Sequence, residues 1–167
     1  MSLASEIVNI ACRVKPDQAT LVPEKRQELT TEGGLDVLKG FVHTSRAVHQ
    51  LKKHKINVSL FIEPNKRQIK SACDCGAEII ELHTGSYANA LTQKEKKISL
   101  AKLMDATVYA QSLGLEVNAG HGLDYANVGP IAKIPGIYEL NIGYSIVCYS
   151  IFCGLEKAVR RMKKLIL

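Results

Sequence analysis

Tryptophan is missing from this 167-residue sequence, and phenylalanine occurs only three times. Without aromatics interleaved among its basic residues, the chain has no stacking platform for nucleic acid. A long apolar run is missing too. The longest uncharged stretch lies between Glu139 and Glu156 and is broken by Asn141, Gly143 and Ser145, too short and too polar for a membrane-spanning helix. The five cysteines, Cys12, Cys73, Cys75, Cys148 and Cys153, form no C-x-x-C pair, and no second ligand pair follows Cys73 and Cys75 at zinc spacing. Their odd number predicts reduced thiols, a cytoplasmic protein and no metal site. The N-terminal stretch has no basic region and carries Glu6 in its first turn, so no signal peptide is expected. A strong charge of one sign is also absent. The net charge of +6 suits phosphate-bearing small molecules, although a solvated surface accounts for it most simply.

What the chain does have is core material. Leu, Ile, Val and Phe make up 48 of the 167 residues, enough for one domain spanning residues 1–167. The apolar pattern repeats a cycle of amphipathic helix, Gly or Pro stop, short apolar strand and polar loop. Helices are predicted over Ser5–Val14, about Leu35–Lys55, Lys66–Cys75, about Tyr125–Lys133, and a tail with Leu155, Ala158, Val159, Met162 and Leu165 inward. Thr92 and Glu95 form a capping box opening a long helix that Gly114 ends, with Ile98, Ala101, Val108 and Leu113 expected inward. Strands are predicted at 19–24, 57–64, 78–83, 115–120 and 137–143. Near-continuous apolar strands alternating with helices imply a parallel sheet, either an open doubly wound sheet or a barrel.

In both closures ligands bind at the C-terminal ends of the strands. The residues there are polar: Glu24, Lys25 and Arg26, then Glu63, Glu81 and His83, Asn118 to Gly122, and Asn141 to Tyr144. Glu81 and His83, two apart, share one strand face and are site candidates. For His83, a buried imidazole bonded to a neighbouring strand is as good a reading as catalysis. His121, between Gly120 and Gly122, is placed for acid–base work near neutral pH, against the simpler reading of a solvated turn histidine. The loops of Gly120, Gly122 and Gly143, with a helix start at Tyr144, suit a phosphate held by backbone N–H groups. Lys25 could form a Schiff base, but its neighbours Glu24 and Arg26 favour an ion-paired or anion-facing loop.

Five segments carry a resemblance: LVPEKRQELTTEGGLDV (21–37), VSLFIEP (58–64), IELHTGSYA (80–88), LGLEVNAGHGLDY (113–125) and IPGIYELNIG (134–143). The sequence resembles the pyridoxine 5'-phosphate synthase family along nearly its whole length. The resemblance implies an α/β chain with a (β/α)8 TIM barrel, here about five parallel strands of it, and a homo-oligomer, in the family an octamer. It implies condensation of 3-amino-2-oxopropyl phosphate with 1-deoxy-D-xylulose 5-phosphate to pyridoxine 5'-phosphate, without metal or cofactor. His121 matches the family's proton donor, Thr30 a substrate-binding threonine, and Gly122, Gly143 and Tyr144 the substrate-phosphate positions. Tyr144 stands where the family has histidine, and Cys148 and Tyr149 where it usually has Gly-Arg. The family's first strands, with a catalytic histidine and glutamate and with arginine and asparagine ligands, precede the part matched here. The alternative reading is therefore a non-catalytic phosphate-binding or self-associating remnant, its open strand edges covered by other copies.

Overall fold

A computed structural model describes residues 1–23 and 33–167. Five strands, β1 (Gln18–Leu21), β2 (Asn57–Ile62), β3 (Ile79–His83), β4 (Glu116–Gly120) and β5 (Ile137–Asn141), form one parallel sheet in the order β1-β2-β3-β4-β5. Each strand is added beside the last and the order never reverses. A doubly wound sheet has a reversal at its switch point, so this winding is that of a barrel wall. Eight helices accompany the described strands: α1 (Ser5–Val14), α2 (Phe41–Lys53), α3 (Lys66–Asp74), α4 (Gly85–Ala88), α5 (Gln93–Ser112), α6 (Val128–Ala132), α7 (Tyr144–Cys153) and α8 (Leu155–Ile166).

The sheet has two unlike faces because side chains alternate along each strand. Val58, Leu60 and Ile62 of β2 and Ile80 and Leu82 of β3 are fully buried in the core. The alternate positions, Phe61, Glu81, His83, Asn118 and Gly120, form the other face, and Asn118 is buried through paired contacts with Glu139. Thus one face supplies the packing and the other carries the polar side chains of the site.

Local chemistry sets the helix ends. Asn65 accepts the Arg67 N–H at the start of α3, and Thr92 and Glu95 form the predicted capping box on α5. Gly114, at φ 79°, follows α5 in the left-handed region that glycine enters freely. Four expectations need correction. The helix expected from Leu35 begins at Phe41, because the Val37 N–H is taken by Gln68 Oε1 and Asp36 caps Lys39, which folds 37–40 into a turn. The helix expected from Tyr125 begins at Val128, since Asp124 Oδ1 accepts the N–H groups of Ala126 and Asn127. On α5 the inward face is Leu103, Ala106, Thr107 and Ala110. Ile98, Ala101 and Val108 are exposed and Leu113 is half-buried, because the four-residue spacing from Leu103 to Thr107 turns those positions away. On α8 only Ala158 and Met162 are buried, while Leu155, Val159 and Leu165 face outward.

Candidate active site

β4 ends at Gly120, and the next residue, His121, has φ 82°. A non-glycine residue in that region costs on the order of 1 kcal/mol and persists only where neighbours hold it. The buried hydroxyl of Thr84 lies 2.7 Å from the Gly120 carbonyl and 2.6 Å from that of His121, a donor for either. The flanking glycines have a steric reason. A Cβ on Gly120 would stand 2.3 Å from Glu81 Oε1, and one on Gly122 2.7 Å from the Ala88 Cβ. The turn therefore presses close to α4 and β3 while presenting an exposed imidazole. The His121 ring lies 4.9 Å from that of His83 and 6.1 Å from Phe61, centroid to centroid.

Two carboxylates flank the histidines. Glu81 is buried and accepts a 2.8 Å hydrogen bond from Asn141 Nδ2. Burial pushes its carboxyl above the ordinary value, while the Asn141 bond and the two histidines pull the other way. Glu63, just after β2, accepts from His83 Nδ1 at 2.6 Å and from the Gly34 N–H at 3.0 Å. Burial pushes Glu63 up too, but these hydrogen bonds and the field of the histidines outweigh it and leave the carboxyl below its ordinary value. The two carboxyls are thus shifted in opposite directions by their surroundings, Glu81 upward by burial and Glu63 downward by its hydrogen bonds.

Beside His121 a cavity of about 1100 Å³ opens at the C-terminal ends of the strands. Its lining includes Phe61, Glu81, His121 and Asn141 together with Gly122, Gly143, Tyr144 and Ser145. The Val147 N–H is bonded to the Gly143 carbonyl, so the N–H groups of the preceding first turn of α7 lie at this wall. Ser145 Oγ donates to the Leu123 carbonyl at 2.9 Å and ties the Gly122 and Gly143 loops together. Such a corner can hold an anion on backbone N–H groups. Tyr144 is exposed at the cavity mouth.

The structure therefore brings together His121, Glu81, His83, Gly122, Gly143 and Tyr144. Thr30 and Lys25 lie outside the described residues. His83 matches the bonded reading: it is buried and tied to Glu63 beside the neighbouring strand β2. Among the described residues no group of three or more His, Cys, Asp or Glu side chains is arranged to hold a metal. Cys75 is buried, and burial pushes its thiol up to about 11, which keeps it an inert packing group. The five cysteines are free thiols, and no described helix is long and apolar enough to cross a membrane. Sequence reasoning placed Glu63 among the polar residues at the strand ends but gave it no role of its own, although it directly ends the apolar run of β2. Thr84 carries no chemical signal at all in the sequence.

The family described as pyridoxal phosphate biosynthesis protein PdxJ matches residues 1–167. Proteins named pyridoxine 5'-phosphate synthase from Blochmanniella pennsylvanica, Nautilia profundicola and Trichlorobacter lovleyi are 50%, 48% and 49% identical to the chain over 99% of its length. The chain in turn spans 68%, 72% and 70% of theirs. Among solved structures, the BexX/CysO complex of Amycolatopsis orientalis is similar with a TM-score of 0.63 at 12% identity, covering 98% of this chain and 59% of that one. A xylose isomerase domain protein from Planctomyces limnophilus is similar with a TM-score of 0.60 at 13% identity, covering 100% of this chain and 70% of that one. At such identities the two structures share the fold alone. Identity near one half along almost the whole chain goes further, and so the chain belongs to the PdxJ family of pyridoxal phosphate biosynthesis proteins.

Proposed function

We propose that this chain works in the synthesis of pyridoxine 5'-phosphate from 3-amino-2-oxopropyl phosphate and 1-deoxy-D-xylulose 5-phosphate, with His121 as the proton donor. The observation that carries the reading is the placement of His121 on a strained turn at the cavity wall, next to the Gly122 and Gly143 corner. In this reading the corner binds a substrate phosphate on the first N–H groups of α7 and on the Gly122 loop. A phosphate fixed there sets the carbon skeleton against the His121 imidazole, which gives and takes protons as the ring closes. Glu81, held by Asn141 at the cavity wall, adds a second carboxyl group beside the reacting groups. Thr30 adds a substrate contact from the segment before Gly33.

The two substrates supply the carbonyl and amine of the condensation themselves, so acid–base groups suffice and no metal or cofactor enters the scheme. The cavity has room for two small phosphorylated molecules. Cytoplasmic location and assembly into a homo-oligomer belong to the same proposal, the former supported by the free cysteines. The test is direct: the purified protein is mixed with both substrates, and pyridoxine 5'-phosphate is measured. Product that disappears with His121→Asn supports the assignment. Product formed equally well by that variant overturns it.

A further inference from the structure

We infer that Glu63 and His83 form a carboxylate–imidazole pair that holds the ring of His121 in place and keeps a negative charge beside it. Both are then positioning residues for the proton transfer, and the inference rests on the role proposed for His121.

The pair has a defined geometry. Glu63 Oε1 lies 2.6 Å from His83 Nδ1 and also accepts the Gly34 N–H at 3.0 Å. An ionised carboxylate only accepts, so Nδ1 carries the proton and donates it to Glu63. His83 is 5% exposed, and its Nε2 finds no hydrogen-bond partner among the described residues. A proton on that nitrogen would be buried without an acceptor, which is costly, whereas a bare lone pair costs less. The geometry therefore fits a Glu63 carboxylate that accepts the Nδ1–H of His83.

The ring is clamped as well as hydrogen-bonded by its surroundings. A Cβ on Gly85 would stand 2.5 Å from His83 Nε2, so α4 closes one side. Phe61 meets the ring edge-on at 5.1 Å, and His121 lies 4.9 Å away on a tilted plane. Glu81 of β3 faces the same two histidines, and Lys102 of α5 lines a cavity of about 300 Å³ together with Glu63 and His83. Through the Gly34 N–H, Glu63 also fastens the segment that precedes α2. One carboxylate thus links that segment, the buried imidazole and the site histidine.

A simpler role would have the pair only fasten β2 to β3. The two are separated with the full chain labelled with ¹⁵N-histidine. In the wild type, His83 should show a protonated Nδ1 and a bare Nε2. Glu63→Gln should shift the His121 ring signals and lower kcat about tenfold, part of the ~10²–10⁴ that a positioned proton-transfer group supplies, with KM within about twofold. Glu63→Asp should restore most of the loss. If Glu63→Gln folds poorly, Gly85→Ala displaces the His83 ring without removing a polar group and should move the same signals. Unshifted His121 signals in both variants, or an Nε2-protonated His83, overturn the inference. If the wild type makes no pyridoxine 5'-phosphate but the signals respond as stated, the pair stands and the proposed reaction falls.

Discussion

The carboxylate of Glu81 on β3 and the amide of Asn141 at the end of β5 meet at 2.8 Å, although β4 runs between them. Gly120 makes the crossing possible. It pairs with His83 on one side and Asn141 on the other, and its missing side chain leaves the path by which Glu81 reaches over β4. A Cβ there would lie 2.3 Å from Glu81 Oε1 and 3.0 Å from the Asn141 carbonyl oxygen. The three strands are locked together by one polar bridge on the face that carries the site.

Gly120→Ala should therefore lower stability by about 1–3 kcal/mol, the usual cost of overpacking a tight position. Thermal unfolding of the single variant and of the double variant with Glu81→Ala checks this. The double variant should recover part of the loss, because the clashing oxygen is gone. An alanine variant as stable as the wild type would show that the bridge has slack.

Burial raises the Glu81 carboxyl above 4.5, so the folded state binds its proton more tightly than the unfolded state does. The sign follows. Stability from this group is greatest at low pH, declines as pH rises from about 4.5 through the raised value, and stays low above it. Glu81→Gln keeps an acceptor for Asn141 and removes the charge, so its stability relative to wild type should rise between pH 4 and pH 7. Denaturant midpoints of both proteins across that range decide it, and a flat difference would contradict the assignment.

Glu63 runs the opposite way. Its carboxyl lies below 4.5, held by His83 and Gly34, so its contribution is present above that value and lost as pH falls through the lowered one. Glu63→Gln should be less stable than wild type at pH 6, with the gap closing on acidification. A gap that does not depend on pH would point to lost packing alone.

The sheet was readable because buried parallel strands leave near-continuous apolar runs, and the runs ending at Ile62 and His83 define β2 and β3 to within two residues. The close turn at His121 was readable for a related reason, since glycines on both sides of a histidine mark close backbone approach. Glu63 was not, because its meaning depends on His83 twenty residues later and on Gly34 far earlier, a juxtaposition that strand pairing alone creates. The start of α2 was hidden likewise. Leu35 and Val37 fit a helical pattern, and only the Gln68 side chain, from α3, takes the Val37 N–H out of it.

Gly143 meets nothing within 4 Å at its Cβ position, and its backbone is not in the left-handed region. A leucine there should fold normally while its side chain enters the cavity beside the first turn of α7. Binding of inorganic phosphate or of either phosphorylated substrate should weaken about tenfold or more, the penalty of ~1.4 kcal/mol or above for a blocked anion corner. Calorimetric titration measures it. Undiminished binding in a folded Gly143→Leu protein would place the phosphate elsewhere.

His121→Asn is the decisive substitution for the chemistry. Asparagine tolerates positive φ better than most residues, so the turn at φ 82° keeps its shape and Thr84 keeps its carbonyl partners. The melting temperature should consequently stay close to that of the wild type. What the variant loses is the imidazole, a side chain suited to general acid–base work. Turnover should fall by about 10²–10⁴, the range a positioned acid–base group supplies, with little change in substrate affinity, because the corner at Gly122 and Gly143, the proposed phosphate site, is untouched. Steady-state kinetics separate these terms. A drop in affinity at unchanged kcat would make His121 a binding residue, and the proton donor would then have to be sought among Glu81 and its neighbours.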